Sequence, residues 1–511
     1  MSDLTPISRE EWSRSAARHL LNRAGFGVPA KALDHLARVG PEAAVETFVN
    51  FEKYPDVVTE PDFLPTADEL NAYRTAIRNA ATEDERRQLS NQFQQKQRQA
   101  VERLKSWWLN LMQFTTRPLQ EKLTLFWAGH FATSAEKIQD PTTNYNYNRM
   151  LRAAAAGNVK SLVTQVGKSP SMLRYLDNIQ NVKGHPNENW ARELMELFTL
   201  GIGHYTEDDI KEAARAFSGW AAAGESFVYN LGAHDFGMKT VLGQRGLLDG
   251  EDVIRIIFEQ PACATFISWK LLGFFACENP PDDIVAALAT ILRESNFELK
   301  PVLTALLRSK WFYSEAVVGA QIKSPVQYMI GLLETLGVTP GRFDLQQQRQ
   351  VALLLRAMGQ DLLFPPNVKG WYGNREWINT NTLLYRYNIA GGLVNGRIPE
   401  NLRENLRLDE TEDMMGDLKA REDALRRRLN APFNVMAWAR PLDGKPLGEV
   451  IDVAIEHFIG RPVDADRRRE LIDSLAPGVD EKTPMKLAET NEIYLRGLVH
   501  LVTSMAEYQL C

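Results

Sequence analysis

From residue 68 to residue 114 the chain contains no glycine or proline and is rich in Gln, Arg, Glu and Ala. That composition suits one or two long helices. Its middle, residues 83–103, is so polar that it has little to bury, and it reads as a projecting, solvated arm or hairpin. On either side the helical period recurs, with proline at starts and glycine at stops. It predicts short helices at 12–21, 31–38 and 41–51, then one opened by Pro118 that places Leu119, Leu123, Phe126, Trp127 and His130 on one stripe. Two more follow between 150 and 176, and others at 249–308, 325–336 and 345–358. The expected fold is mainly α: a large multi-helical domain over residues 1–398, with one small β-hairpin insertion at about 226–242. A charged connector at 404–428 then leads into a C-terminal helical subdomain that completes residues 399–511, with helices at 447–459, 465–475 and 484–508.

The densest polar commitment lies in residues 185–220, HPNENWARELMELFTLGIGHYTEDDIKEAARAFSGW. A first helix is expected between Pro186 and Gly201. At about 100° per residue, Trp190, Ala191, Leu194, Leu197 and Phe198 face the core, and Asn189, Arg192, Glu193 and Glu196 face away. Glu193 sits at the edge of the apolar face, where partial withdrawal from water would perturb its carboxylate. The plainer alternative is a solvated face with an Arg192–Glu196 pair, worth about 0.3–0.5 kcal/mol. A second helix opens with Thr206 as N-cap and Asp209 three residues on, close to a capping box.

After Trp220 the period changes. Residues 226–230 and 239–242 alternate well enough to pair as one hairpin, with His234 and Asp235 at or near its tip. Loops on a rigid scaffold favour functional groups, although an Asp bonding its own turn beside a solvated His explains the pair equally well. Residues 362–377 combine Pro365, Pro366, Gly370 and Gly373 with Trp371 and Trp377, a stiff loop. Its tryptophans would wall a cleft, stack on a sugar ring or simply anchor the loop. His130 on its apolar stripe fits a hydrogen-bonded core residue better than a ligand.

Several functional classes lose support. The formal charge of −6 does not favour nucleic-acid binding. Three sparse cysteines, Cys263, Cys277 and Cys511, argue against a disulfide framework or a zinc ribbon. No run reaches the ~18 apolar residues of a membrane helix. The N-terminus lacks a basic region followed by an apolar run, so a cytoplasmic protein is expected, or an exported one if that end was trimmed. No GxxxxGK[ST], GxSxG, HExxH or helix-opening GxGxxG occurs.

The segments MLRAAAAGNVKSLVTQVGKSPSMLRYLDN and NENWARELMELFTLGIGHYTEDDIKEAARAFSGW resemble the bacterial domain of unknown function 1800 family. The same resemblance covers Phe126-Trp127-Ala128-Gly129-His130-Phe131, His234-Asp235-Phe236-Gly237-Met238-Lys239 and Pro365-Pro366-Asn367-Val368-Lys369-Gly370-Trp371. It spans roughly residues 20–392 and implies a mostly helical fold, with no established activity. Many members of that family resemble exported proteins and are encoded beside a family related to alkaline phosphatases and sulfatases. The resemblance therefore implies a possible protein partner of that kind, although the export signal is missing here.

If the polar groups of these segments converge, they offer nitrogen and oxygen donors suited to a divalent metal such as zinc, manganese or iron. The expectation is then a metal-assisted hydrolase acting on an anionic or polar substrate. Glu193 would be its general base, and His130, Glu196, His234 and Asp235 its metal ligands. Asn189, Arg192, Lys239, Asn367 and Trp371 would surround the substrate, with Arg192 and Lys239 on an anionic group. The alternative is a non-catalytic helical scaffold that binds a phosphatase- or sulfatase-like protein through the arm and the charged C-terminal region. A carbohydrate-binding module built on Trp371 and Trp377 is a third reading.

Overall fold

The glycine- and proline-free stretch forms two helices in the computed structural model, Ala67–Asn79 and Glu83–Phe114. The structure describes residues 4–337, 345–395, 433–488 and 490–511. Thr82 starts the longer helix by accepting from the Glu85 N–H, with acidic residues in its first turn. No residue from 67 to 96 is buried. The two helices zip together through Tyr73 against Phe93, ring centres 5.5 Å apart, with Lys96 over the tyrosine. Beyond Gln97 the longer helix turns apolar and runs into the protein, burying Leu104, Trp108, Leu109 and Met112.

Among the described residues helices dominate, and two apolar cores hold them. The first collects buried side chains from Ile7 to Val317. The second joins Phe26, Trp108 and Leu125 to residues of the helices Pro325–Thr335, Leu345–Ala357 and Thr380–Asn395, and to Leu447–Phe458, Ala465–Leu475 and Glu492–Ser504. It thus draws on both sides of residue 398, while the charged connector at 404–428 lies outside the described residues. Buried arginines tie distant segments together, and Arg18 links the first core to the second. Arg18 donates to the carbonyls of Glu456 and His457 at the end of Leu447–Phe458, Arg23 to Val317 at 2.8 Å, and Arg386 to Lys323 at 2.8 Å. No described helix is long and apolar enough to cross a membrane.

Three local differences from the sequence expectation have clear causes. The final helix begins at Glu492, capped by Asn491, not at Pro484, because residues 483–485 bond back to residues 444–447. The expected strands both form, as β2 (Ser226–Tyr229) and β3 (Lys239–Val241), but they do not pair with each other. β2 pairs with β1 (Trp220–Ala223), and β3 with β4 (Gln244–Gly246). Tight turns at Gly224, φ +58°, and at Leu242-Gly243, φ +46° and +81°, close two hairpins. His234 and Asp235 therefore lie in the link between hairpins, not at a tip.

The third difference concerns the helix expected from Pro186. It starts at Asn189, since Asn187 accepts from the Asn189 N–H at 3.0 Å. After Glu193 it widens into a π-helix over Leu194–Thr199. The wider turn lets both the Leu200 and Gly201 N–H groups reach the Met195 carbonyl, at 2.9 and 3.0 Å. Glu207–Phe217 follows with the expected Thr206–Asp209 capping box.

Candidate functional site

Glu193, the last residue before the π-turn, and Glu196 within it are both half-buried. The last carbonyls of the π-turn need partners from elsewhere. His130, at the end of the Pro118–His130 helix, supplies one: its Nε2–H donates to the Phe198 carbonyl at 2.9 Å, which fixes the tautomer. The ring is buried among Phe126, Trp127, Phe131 and Phe198. Burial, with the charge of Lys270 beside it, pushes its pKa down to about 3. The hydrogen bond and the burial both favour the neutral ring.

The other groups named for a metal are held in the same way. His234 Nδ1–H donates to the Ser218 carbonyl at 2.8 Å, its ring lying between Tyr229 and Phe236. Asp235 accepts from Arg215 Nε and from the Gly237 N–H, both at 2.8 Å, and Arg215 holds its carboxyl at about 2. Glu196 accepts from the Tyr205 hydroxyl at 2.9 Å. Among the described residues no group of three or more His, Cys, Asp or Glu is placed to hold a metal ion. The four expected ligands are not brought together, because each already satisfies a nearby polar group.

The expected substrate contacts divide similarly. Arg192 pairs with Glu188 at 3.0 Å and bidentately with Glu207 at 2.8 and 2.7 Å, so the Arg192–Glu196 pair does not form. Lys239, 1% exposed, donates to the carbonyls of Asp235, Gly237 and Leu248 at 2.5, 3.1 and 2.9 Å. Asn189 is exposed. Asn367 shapes its own loop, accepting from the Lys369 N–H and donating to the Tyr372 hydroxyl, both at 2.9 Å. Trp371 is half-buried, with its Nε1–H on the Asp361 carbonyl at 3.1 Å, and Trp377 is buried.

Glu193 stands apart. Of the acidic residues between 185 and 220, Glu188 and Glu207 hold Arg192, Glu196 holds Tyr205, Asp208 pairs with Lys211, Asp209 caps its helix and Glu212 pairs with Arg215. Glu193 alone makes no hydrogen bond or ion pair with any described residue. Burial and then the neighbouring Glu196 raise its pKa, while Arg192 and Lys369 oppose the rise.

Lys369 acts on Glu193 and Lys270 on His130, and the sequence assigned a role to neither lysine. Lys369 arrives on the 362–377 loop. Gly370, at φ +82°, seats that loop on the helix end so tightly that a Cβ there would lie 2.0 Å from the Gly129 carbonyl oxygen. Lys270 is half-buried on the helix Pro261–Phe275, next to its own Phe266 and Trp269 rings at 5.3 and 5.4 Å. Phe266 in turn lies where a Cβ on Gly201, just after the π-turn, would meet its ring at 3.0 Å. No local pattern in the sequence marks either lysine, because what sets them apart is the neighbours that the fold brings from distant elements.

The family described as protein of unknown function DUF1800 matches residues 19–510. The chain belongs to this family. No curated protein and no solved structure matches it. In this DUF1800 chain the match covers all of the second core, nearly all of the first and every element around Glu193, and it runs well past residue 392, where the sequence resemblance was expected to end.

Proposed function

We propose that this DUF1800 protein is a hydrolase of polar or anionic substrates in which Glu193 is the general base, taking a proton from the attacking water. One observation carries the reading: Glu193 is the single uncommitted carboxylate of residues 185–220, half-buried and with a raised pKa. A raised pKa makes a carboxylate a better base near neutral pH. Its place at the start of a π-turn adds support, since such turns recur at functional sites. The donors once named for a metal have no role in this reading. All three cysteines are free, which suits the cytoplasm.

The test is hydrolysis of p-nitrophenyl acetate, phosphate and sulfate by the purified protein. At least one should turn over, and Glu193→Gln should lower the rate by about 100-fold or more. Because the side chain has no partner to lose, stability should change by no more than ~0.5 kcal/mol. No turnover of any ester, or a fully active Gln variant, overturns the proposal. A second reading, a scaffold that docks a phosphatase- or sulfatase-like protein, is favoured by the arm, whose residues 67–96 are nowhere buried. Excising the arm would then abolish that association, and Glu193→Gln would leave it intact.

A further inference from the structure

We propose that a cleft between the two cores, walled by Arg18, Asn22 and Arg461, binds a small organic acid by its carboxylate, with an uncharged body lying along the helix Arg14–Ala24. The inference uses no residue of the Glu193 site and stands apart from the hydrolase reading.

That helix belongs to the first core and turns Ser15, Arg18, His19 and Asn22 into the cleft, side chains that share one face because they are three and four residues apart. Facing them are Gly319, Cys511 and the turn Ile459-Gly460-Arg461, which follows the helix Leu447–Phe458 of the second core. Two glycines make the room. Gly319, φ +73°, and Gly460, φ +72°, lie so close to Arg461 and Arg18 respectively that a Cβ on either would collide with the arginine side chain.

The charge of these arginines is incompletely answered. Arg18, 8% exposed, donates to two carbonyls, reaches Glu456 only at 3.4 Å, and leaves its Nε without a partner. Arg461 donates to the Glu507 carbonyl at 2.8 Å, while the Glu507 carboxylate is held by Arg467 at 2.7 Å. Burial keeps both guanidinium groups below their usual range. Glu456 beside Arg18, and Glu507 and Cys511 beside Arg461, oppose that without cancelling it. The buried His19 Nε2 and the Asn22 side chain also have no hydrogen-bond partner among the described residues. Each buried polar group left unpaired costs about 1–3 kcal/mol, so a cleft that gathers several favours a polar occupant.

Size narrows the choice. The inner cleft holds about 30 Å³, room for about two water molecules or for the two oxygens of a carboxylate. At Ser15 and Val318 it meets a wider cleft of about 260 Å³. There Ile7, Val318 and the Tyr313 ring supply apolar walls, and Glu11 and Lys310 neutralise each other at 2.7 Å. Such a space suits an uncharged body smaller than the drug-sized molecules that fill pockets of about 300–1,000 Å³.

Ligand-observed NMR and calorimetry on the full chain test this with benzoate, with its uncharged counterpart benzamide, and with phenylphosphonate, whose head group is larger. Benzoate should bind at least tenfold more tightly than either. Arg461→Met should weaken benzoate at least tenfold. Ser15→Leu, which fills the passage between the clefts from an exposed helix position, should do the same with an unchanged melting temperature, and it decides the matter alone if Arg461→Met does not fold. Absence of benzoate binding, binding that benzamide or phenylphosphonate matches, or binding indifferent to these substitutions overturns the proposal and leaves the cleft to water.

Discussion

A histidine on an apolar stripe must place its N–H, and His130 places it on the Phe198 carbonyl at the end of the π-turn. His130→Phe would leave that carbonyl unpaired, so urea unfolding should show a loss of about 1–3 kcal/mol. The pH dependence has a definite sign. With a pKa of about 3 in the fold against 6.5 when free, the neutral imidazole stabilises fully above pH 6.5, and that contribution is lost as pH falls towards 3. Glu334 works the other way. It is largely buried against Gly27, its Oε2 has no partner, and burial pushes its pKa from 4.5 up to about 7. Its ionised form destabilises the fold above pH 7, and the effect fades as pH falls to 4.5. Glu334→Gln should therefore raise stability at pH 8 by on the order of 1–3 kcal/mol and have little effect near pH 4.5. Denaturant titrations at the two pH values check this, and an equal gain at both would refute the assignment.

At the scale of elements, the arm has the clearest consequence. Its helices bury nothing before Gln97, while below that point Lys105 is tied to Asp361 and Trp108 lies in the second core. Replacing residues 70–96 by a short flexible linker should change folding stability by about 1 kcal/mol or less, and a large fall in melting temperature would contradict this reading of the arm. The arm was legible in the sequence because its polarity is local, as were the Thr206–Asp209 box and the helix Ala465–Leu475. The π-turn was not, since it depends on His130 taking a carbonyl from another helix. Nor was the partner of Arg192, because Glu207 belongs to the next helix and outcompetes the in-helix Glu196. Hairpin pairing failed for a similar reason: two turns at Gly224 and Gly243 offered closures shorter than the one the strand pattern suggested.

Across the whole molecule the proposed site draws on separate stretches: Glu193 from the residue before the π-turn, and Lys369 from a loop seated on the end of the Pro118–His130 helix. The sequence singled out Glu193 by its position on an amphipathic face. It also named His130, His234, Asp235, Arg192 and Lys239, which the fold uses for its own backbone carbonyls and ion pairs. Glu193 is distinguished by having no such use, and the account depends on its sharing one space with Glu196 and Lys369. A 13C NMR titration of the Glu193 carboxyl measures that directly. The account predicts a midpoint above 4.5, lowered by Glu196→Gln and raised further by Lys369→Met. A midpoint at or below 4.5 that neither substitution moves would contradict it.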